Sequence, residues 1–74
     1  MLLTIEYQPE VQELDIVCDD EGIELLMDRL RKLKDGGGGH AHLMTPSWAG
    51  DELTEERQTE ASSLINHVRI VLKK

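Results

Sequence analysis

The sequence predicts an α+β domain: a small antiparallel β-sheet of about four strands, in the chain order ββαββ, with one α-helix packed on one face. Three features carry that expectation. Two stretches near the N-terminus alternate apolar and polar residues, one central stretch repeats apolar residues at helical spacing between well-matched ends, and the C-terminal stretch alternates again with β-branched residues. The 74 residues suffice for one domain, 1–74, with a thin core, because a chain this short buries only about 60% of the surface it exposes when unfolded. With 39% hydrophobic residues, no Phe, one Tyr and one Trp, that core must be built from Leu, Ile, Val and Met. Such a core is compatible with marginal stability or with assembly into a homodimer.

Leu3, Ile5 and Tyr7 alternate with Thr4, Glu6 and Gln8, the pattern of a strand covered on one face, and Pro9 ends it. Leu14, Ile16 and Cys18 alternate with Glu13, Asp15 and Val17 and form a second strand, which pairs most simply with the first as a hairpin. Ile23, Leu26, Met27, Leu30 and Leu33 then recur at spacings of three and four, giving a helix over residues 20 to 35. Asp19 or Asp20 supplies its N-cap, and acidic residues crowd its start while Arg29, Arg31, Lys32 and Lys34 crowd its end, as the helix dipole favours. Gly36 is its stop, and the run Gly36 to Gly39 reads as a mobile link or a hinge for exchanging a hairpin between protomers. A phosphate-cradling loop is disfavoured there, since no Lys-Ser/Thr follows and no strand precedes.

His40 to Thr45 reads as a third strand, with His40, His42 and Met44 on one face and Ala41, Leu43 and Thr45 on the other. Pro46 ends it and Gly50 permits a tight turn. Asp51 to Ser63 is a polar, acidic connection without an apolar face. Leu64, Asn66, Val68, Ile70 and Leu72 alternate with Ile65, His67, Arg69 and Val71 in a last strand, the first set toward the helix and His67 and Arg69 toward the open face.

The formal net charge of −7, from fifteen acidic and eight basic residues, repels phosphate backbones and anionic lipid, so neither a nucleic acid nor a membrane is an expected partner. Plain solubility accounts for such a charge; a basic protein partner, drawn in by electrostatic steering, is the sharper reading. Cys18 is the only cysteine, which excludes an internal disulfide and suits a reducing cytosol. The N-terminus has no basic stretch with an apolar run of signal-peptide length, and no segment approaches the ~20 apolar residues of a membrane span, so a cytoplasmic location is expected.

Three constellations carry possible chemistry. A His-x-His pair on a strand places two imidazoles on one face, about 7 Å apart along the backbone, close enough to share a metal. If the third and last strands are antiparallel neighbours, His67 joins His40 and His42. A zinc site needs further fixed geometry and supporting partners, so structural or interface histidines stand as the plainer reading, and no cofactor is expected. Glu52, Glu55, Glu56 and Glu60 read as surface carboxylates, and no Ser or Cys nucleophile has a matched base, so no enzymatic role is expected. Trp48, on a turn between Pro46 and Gly50, is either a plug closing one end of a Phe-less core or an exposed anchor for a partner.

The segments Glu-Tyr-Gln-Pro-Glu (6–10), Leu-Asp-Ile-Val (14–17), Glu-Gly-Ile-Glu-Leu-Leu (21–26), His-Ala-His-Leu-Met-Thr-Pro-Ser-Trp-Ala-Gly-Asp-Glu-Leu (40–53) and Ile-Asn-His-Val-Arg-Ile (65–70) follow one another along nearly the whole chain. In this order they resemble the immunity protein 32 family, small immunity proteins of bacterial polymorphic toxin systems. The most specific part is His-x-His-Leu-Met-Thr-Pro-Ser-Trp. The resemblance implies a cognate toxin neutralised by direct binding rather than chemistry done by this chain, and the charge of −7 suits a basic toxin domain such as a nuclease. Ala49 stands where the resemblance suggests a second glycine. No toxin-contacting position carries over from the family. The open sheet face and the Trp48 turn are the expected binding surface: His40, His42, Trp48, Asp51, Glu52, His67 and Arg69. A metal-binding protein using His40, His42 and His67, or a self-associating structural module, are the alternatives.

Overall fold

A computed structural model of the chain describes residues 1–36 and 38–73. It contains β1 (Leu3–Gln8), β2 (Glu13–Cys18), α1 (Asp20–Asp35), β3 (Gly39–Met44), a 3-10 turn (Pro46–Trp48), β4 (Ser63–Leu64) and β5 (His67–Leu72). One helix with antiparallel strands gives the α+β class expected. The strands divide between two sheets, β2-β1-β4 and β3-β5, where a single four-stranded sheet was expected. The divide comes from the last stretch, which breaks at Ile65–Asn66: its first part pairs with β1 and its second with β3, so one run of sequence serves two sheets. The expected mobile link at Gly36 to Gly39 includes Gly37, which lies outside the described residues.

The local elements follow from their ends. Asp19 caps α1, its carboxylate accepting the Gly22 N–H at 2.8 Å; the Leu2 N–H, and after it this Gly22 bond, hold the Asp19 carboxyl below its ordinary value. At the other end the Gly36 N–H donates to the Lys32 carbonyl at 2.9 Å. Gly22 is the only fully buried helical residue, and a Cβ on it would lie 1.9 Å from the Leu2 carbonyl oxygen. The helix therefore seats against the start of β1 at a position where no side chain fits.

The core joins Leu3 and Ile5 of β1 to Leu43 of β3 and to Leu53, with Cys18, Leu25, Leu26, Ile65, Val68 and Ile70 packed around them. Leu53 and Thr54 link the sheets, the Leu53 N–H donating to Met44 and the Thr54 N–H to Leu3. Over β5 the inward set is as expected, with Val68 and Ile70 toward the core, but Ile65, expected in the outward set, also packs on the core because the strand breaks at Ile65–Asn66.

Two expectations about burial are corrected. β1 is covered on both faces, for Thr4 and Glu6 are as fully buried as Leu3 and Ile5. β1 lies between β2 and β4, and the 54–65 segment closes over its polar side. Conversely, the apolar stripe of α1 is only partly used: Leu26 and Leu33 are half-buried, while Ile23, Met27 and Leu30 are more than 40% exposed, as are Leu14 and Ile16 on β2. A two-stranded ribbon and a hairpin are too narrow to cover a 16-residue helix. The radius of gyration, 12.7 Å, accordingly exceeds the roughly 11.3 Å of a compact chain of this length.

Glu6 replaces an apolar contact with a hydrogen-bonded one. Its carboxylate accepts bonds from the Thr4 hydroxyl at 2.6 Å, the Ser62 hydroxyl at 2.8 Å, and the Gln58 and Thr59 N–H groups, each at 2.9 Å. Burial by itself raises a carboxyl's pKa, but these four donors outweigh it and lower that of Glu6 to about 2. One ionised side chain thus organises a loop that has no hydrophobic face of its own.

Candidate functional site

The β3-β5 ribbon turns one face inward and leaves the other open. Because β3 and β5 run antiparallel with His42 opposite Arg69, Met44 opposite His67 and His40 opposite Val71, period-two alternation puts all six on one face. The three histidines come together as the antiparallel pairing required. The His42 Nδ1 and His67 Nε2 lie 2.7 Å apart, and the His40 and His42 rings meet edge to face with centroids 4.8 Å apart.

This hydrogen bond decides much of what the cluster can do. One ring must donate and the other accept, so at least one of the two is neutral. Burial, followed by the charges of His40, His67 and Arg69, pushes His42 below the ordinary imidazole value. Among the described residues no three His, Cys, Asp or Glu side chains are grouped to hold a metal ion.

Trp48 joins this face. The 3-10 turn after Thr45 and the left-handed Ala49 (φ +67°) throw its side chain outward, where it is 55% exposed with its ring centroid 6.1 Å from that of His67. The core-plug reading is thereby corrected: Leu43 and Leu53 fill the interior beside the turn, which leaves no space for an indole. Gly50 secures the turn, since a Cβ there would fall 2.5 Å from the Met44 carbonyl oxygen. Ala49 sits where glycine is favoured, so Ala49→Gly is expected to stabilise the fold by up to about 1 kcal/mol, read as a rise in the urea midpoint at unchanged slope.

The acidic members of the expected surface differ from one another. The Glu52 carboxylate accepts the Met44 N–H at 2.9 Å, a bond that lowers its pKa and braces the end of β3. Asp51 is exposed, and its pKa is raised by the hydrogen bond and negative charge of Glu52. Sequence reasoning missed the roles of Glu55 and Glu56. Glu55 accepts from the Ser47 hydroxyl and N–H, which lowers its pKa and holds the Trp48 turn. With Asp51 and Glu56 it borders a groove of about 590 Å³ whose apolar side is made by Met1, Leu2 and Leu53. Pro46, the first residue of the Trp48 turn, also lines this groove. Carboxylates spaced along a polar segment give no sequence signal of such convergence.

Among the described residues no helix is long and apolar enough to cross a membrane. No curated protein and no solved structure matches the chain. The model of one family, described as Immunity protein 32, matches residues 13–68 of the 74, a span that takes in β2, α1, the whole of β3, the Trp48 turn and the start of β5. The sequence resemblance and this match agree, and the chain belongs to the immunity protein 32 family.

Proposed function

We propose that the protein is a cytosolic immunity protein that neutralises a cognate bacterial toxin by direct binding, with the open ribbon face and the Trp48 turn as its contact surface. Family membership supports the immunity role. The observation that carries the choice of surface is Trp48, a large aromatic side chain held outward on a turn braced by Glu55, with its ring beside that of His67. Rigid, half-exposed Trp residues with polar neighbours are frequent energetic anchors of interfaces. The net charge of −7 and the carboxylates of Asp51, Glu55 and Glu56 favour a basic toxin domain.

Titration calorimetry with a toxin domain found encoded beside this gene tests the surface. Trp48→Ala is expected to weaken binding by about 2 kcal/mol, roughly thirtyfold, while leaving the melting temperature nearly unchanged because the side chain is largely outside the core. Unchanged affinity would remove Trp48 and this face from the proposal.

Acidification supplies a second expectation. Protonating His42 as the pH falls adds positive charge to the face, beside Arg69 on the neighbouring strand. A basic toxin is therefore expected to bind more weakly at pH 5.5 than at pH 7.5, as measured by the same calorimetry. Because the pKa of His42 is lowered in the fold, the unfolded chain takes up that proton first, and the contribution of His42 to stability falls in the same direction.

A further inference from the structure

We infer that β2 is a dimerisation edge, pairing antiparallel with β2 of a second copy of this chain about a two-fold axis at Ile16. β2 ends the sheet β2-β1-β4, and its free side can be assigned from the pairing of β1. Leu3 and Ile5 direct their carbonyls away from β2, accepting the Thr54 and Ile65 N–H groups at 2.7 and 2.8 Å. In an antiparallel ladder their opposite numbers, Cys18 and Ile16, must then direct their own N–H and C=O groups outward, and Leu14 follows by alternation. The free edge therefore presents the backbone of Leu14, Ile16 and Cys18, the same residues whose side chains share the apolar face.

Natural edge strands are blunted with charged side chains, especially Lys, or with Pro, bulges or a covering element; the charges of β2, Glu13 and Asp15, alternate onto the face opposite Leu14 and Ile16. β2 has neither Lys nor Pro, and its ladder to β1 is unbroken over six residue pairs. Its two central apolar side chains, Leu14 and Ile16, are 56% and 50% exposed.

Self-complementarity points to a second copy as the occupant, since the alternation of β2 lets its apolar side chains mate with themselves, and local charge selects the register. The chain exposes 5109 Å², against about 4,600 Å² for a compact monomer of this size. Part of that excess is apolar side chain on β2, where Leu14 and Ile16 stand open. Of the registers that keep the apolar faces together, the one centred on Ile16 sets Ile16 against Ile16, Leu14 against Cys18 and Asp15 against Val17. Centring on Asp15 sets two carboxylates face to face at the middle of the ladder. In the Ile16 register like charges meet only at its ends, Glu13 against Asp19, and each Asp19 has the Met1 ammonium 3.9 Å away. Two copies of net charge −7 still repel, so the dimer is stronger at higher salt. β2 contributes no residue to the ribbon face, and this inference is independent of toxin binding.

Sedimentation equilibrium of the full chain over a concentration series tests it. The expected result is a reversible dimer that tightens with salt, whose dissociation constant Ile16→Lys raises at least about tenfold with helix content retained. In a Cys18→Ser background, oxidised Ile16→Cys is expected to form a covalent dimer, since residues opposite each other in a ladder lie within disulfide reach, whereas Asp15→Cys is not. A monomer at every concentration and salt, a dimer indifferent to Ile16→Lys, or cross-linking through position 15 but not 16 would each overturn it.

Discussion

Glu6→Ala is expected to destabilise the fold by about 3 kcal/mol or more, because it strips the acceptor from two hydroxyls and two backbone N–H groups beneath the 54–65 segment. For a domain of this size that lowers the melting temperature by more than about 10 °C. The loss should concentrate in the loop, with the Gln58 and Thr59 amides exchanging fastest in hydrogen-exchange measurements. Glu6→Gln is the sharper variant: it keeps the shape but swaps one acceptor oxygen for a donor facing donors. The pH dependence follows from the same site. The carboxyl's ordinary value is 4.5 and its folded value about 2, so the stabilisation is fully present above about pH 4.5 and is lost as pH falls toward 2. Acid unfolding of the wild type should be steep in that window and shallow in Glu6→Gln. Equal acid profiles would mean that Glu6 is not the organising charge.

Gly22→Ala is expected to destabilise by about 2 kcal/mol, although alanine in place of glycine inside a helix ordinarily stabilises by about 1 kcal/mol. The reversal comes from the Leu2 carbonyl, 1.9 Å from where the new Cβ would stand. Neither atom belongs to a flexible side chain, so α1 must back away from β1 and loosen the contacts of Leu3, Leu25 and Leu26. Chemical denaturation of Gly22→Ala beside Gly36→Ala separates space from propensity. If both variants gain stability, the close approach of α1 to the start of β1 is wrong.

Features set by local chemistry were legible in the sequence. The α1 boundaries follow from the Asp19 cap, the charge gradient and Gly36, and the β1-β2 hairpin follows from alternation on both sides of Pro9. The grouping of His40, His42 and His67 was legible only as a condition, since it depends on β3 and β5 pairing across more than twenty residues. What escaped was set by distant partners. Alternation placed Glu6 on the polar side of a strand, and nothing nearby shows that this side is closed by residues more than fifty positions later. The direction of Trp48 escaped for a related reason. Pro46 and Gly50 announce a turn, but whether the indole points in or out depends on Leu43 and Leu53 having filled the interior.

The central claim, that this protein neutralises a toxin through the ribbon face and the Trp48 turn, is tested most directly by growth. A toxin domain found encoded beside its gene is expressed in bacteria together with the wild-type chain or with Trp48→Ala/Asp51→Lys, all chains at matched levels. The account predicts that the wild type restores growth and co-purifies with the toxin domain, and that the double variant remains folded but restores growth poorly. Failure of the wild type either to rescue or to form a complex, or full rescue by the double variant, would contradict it.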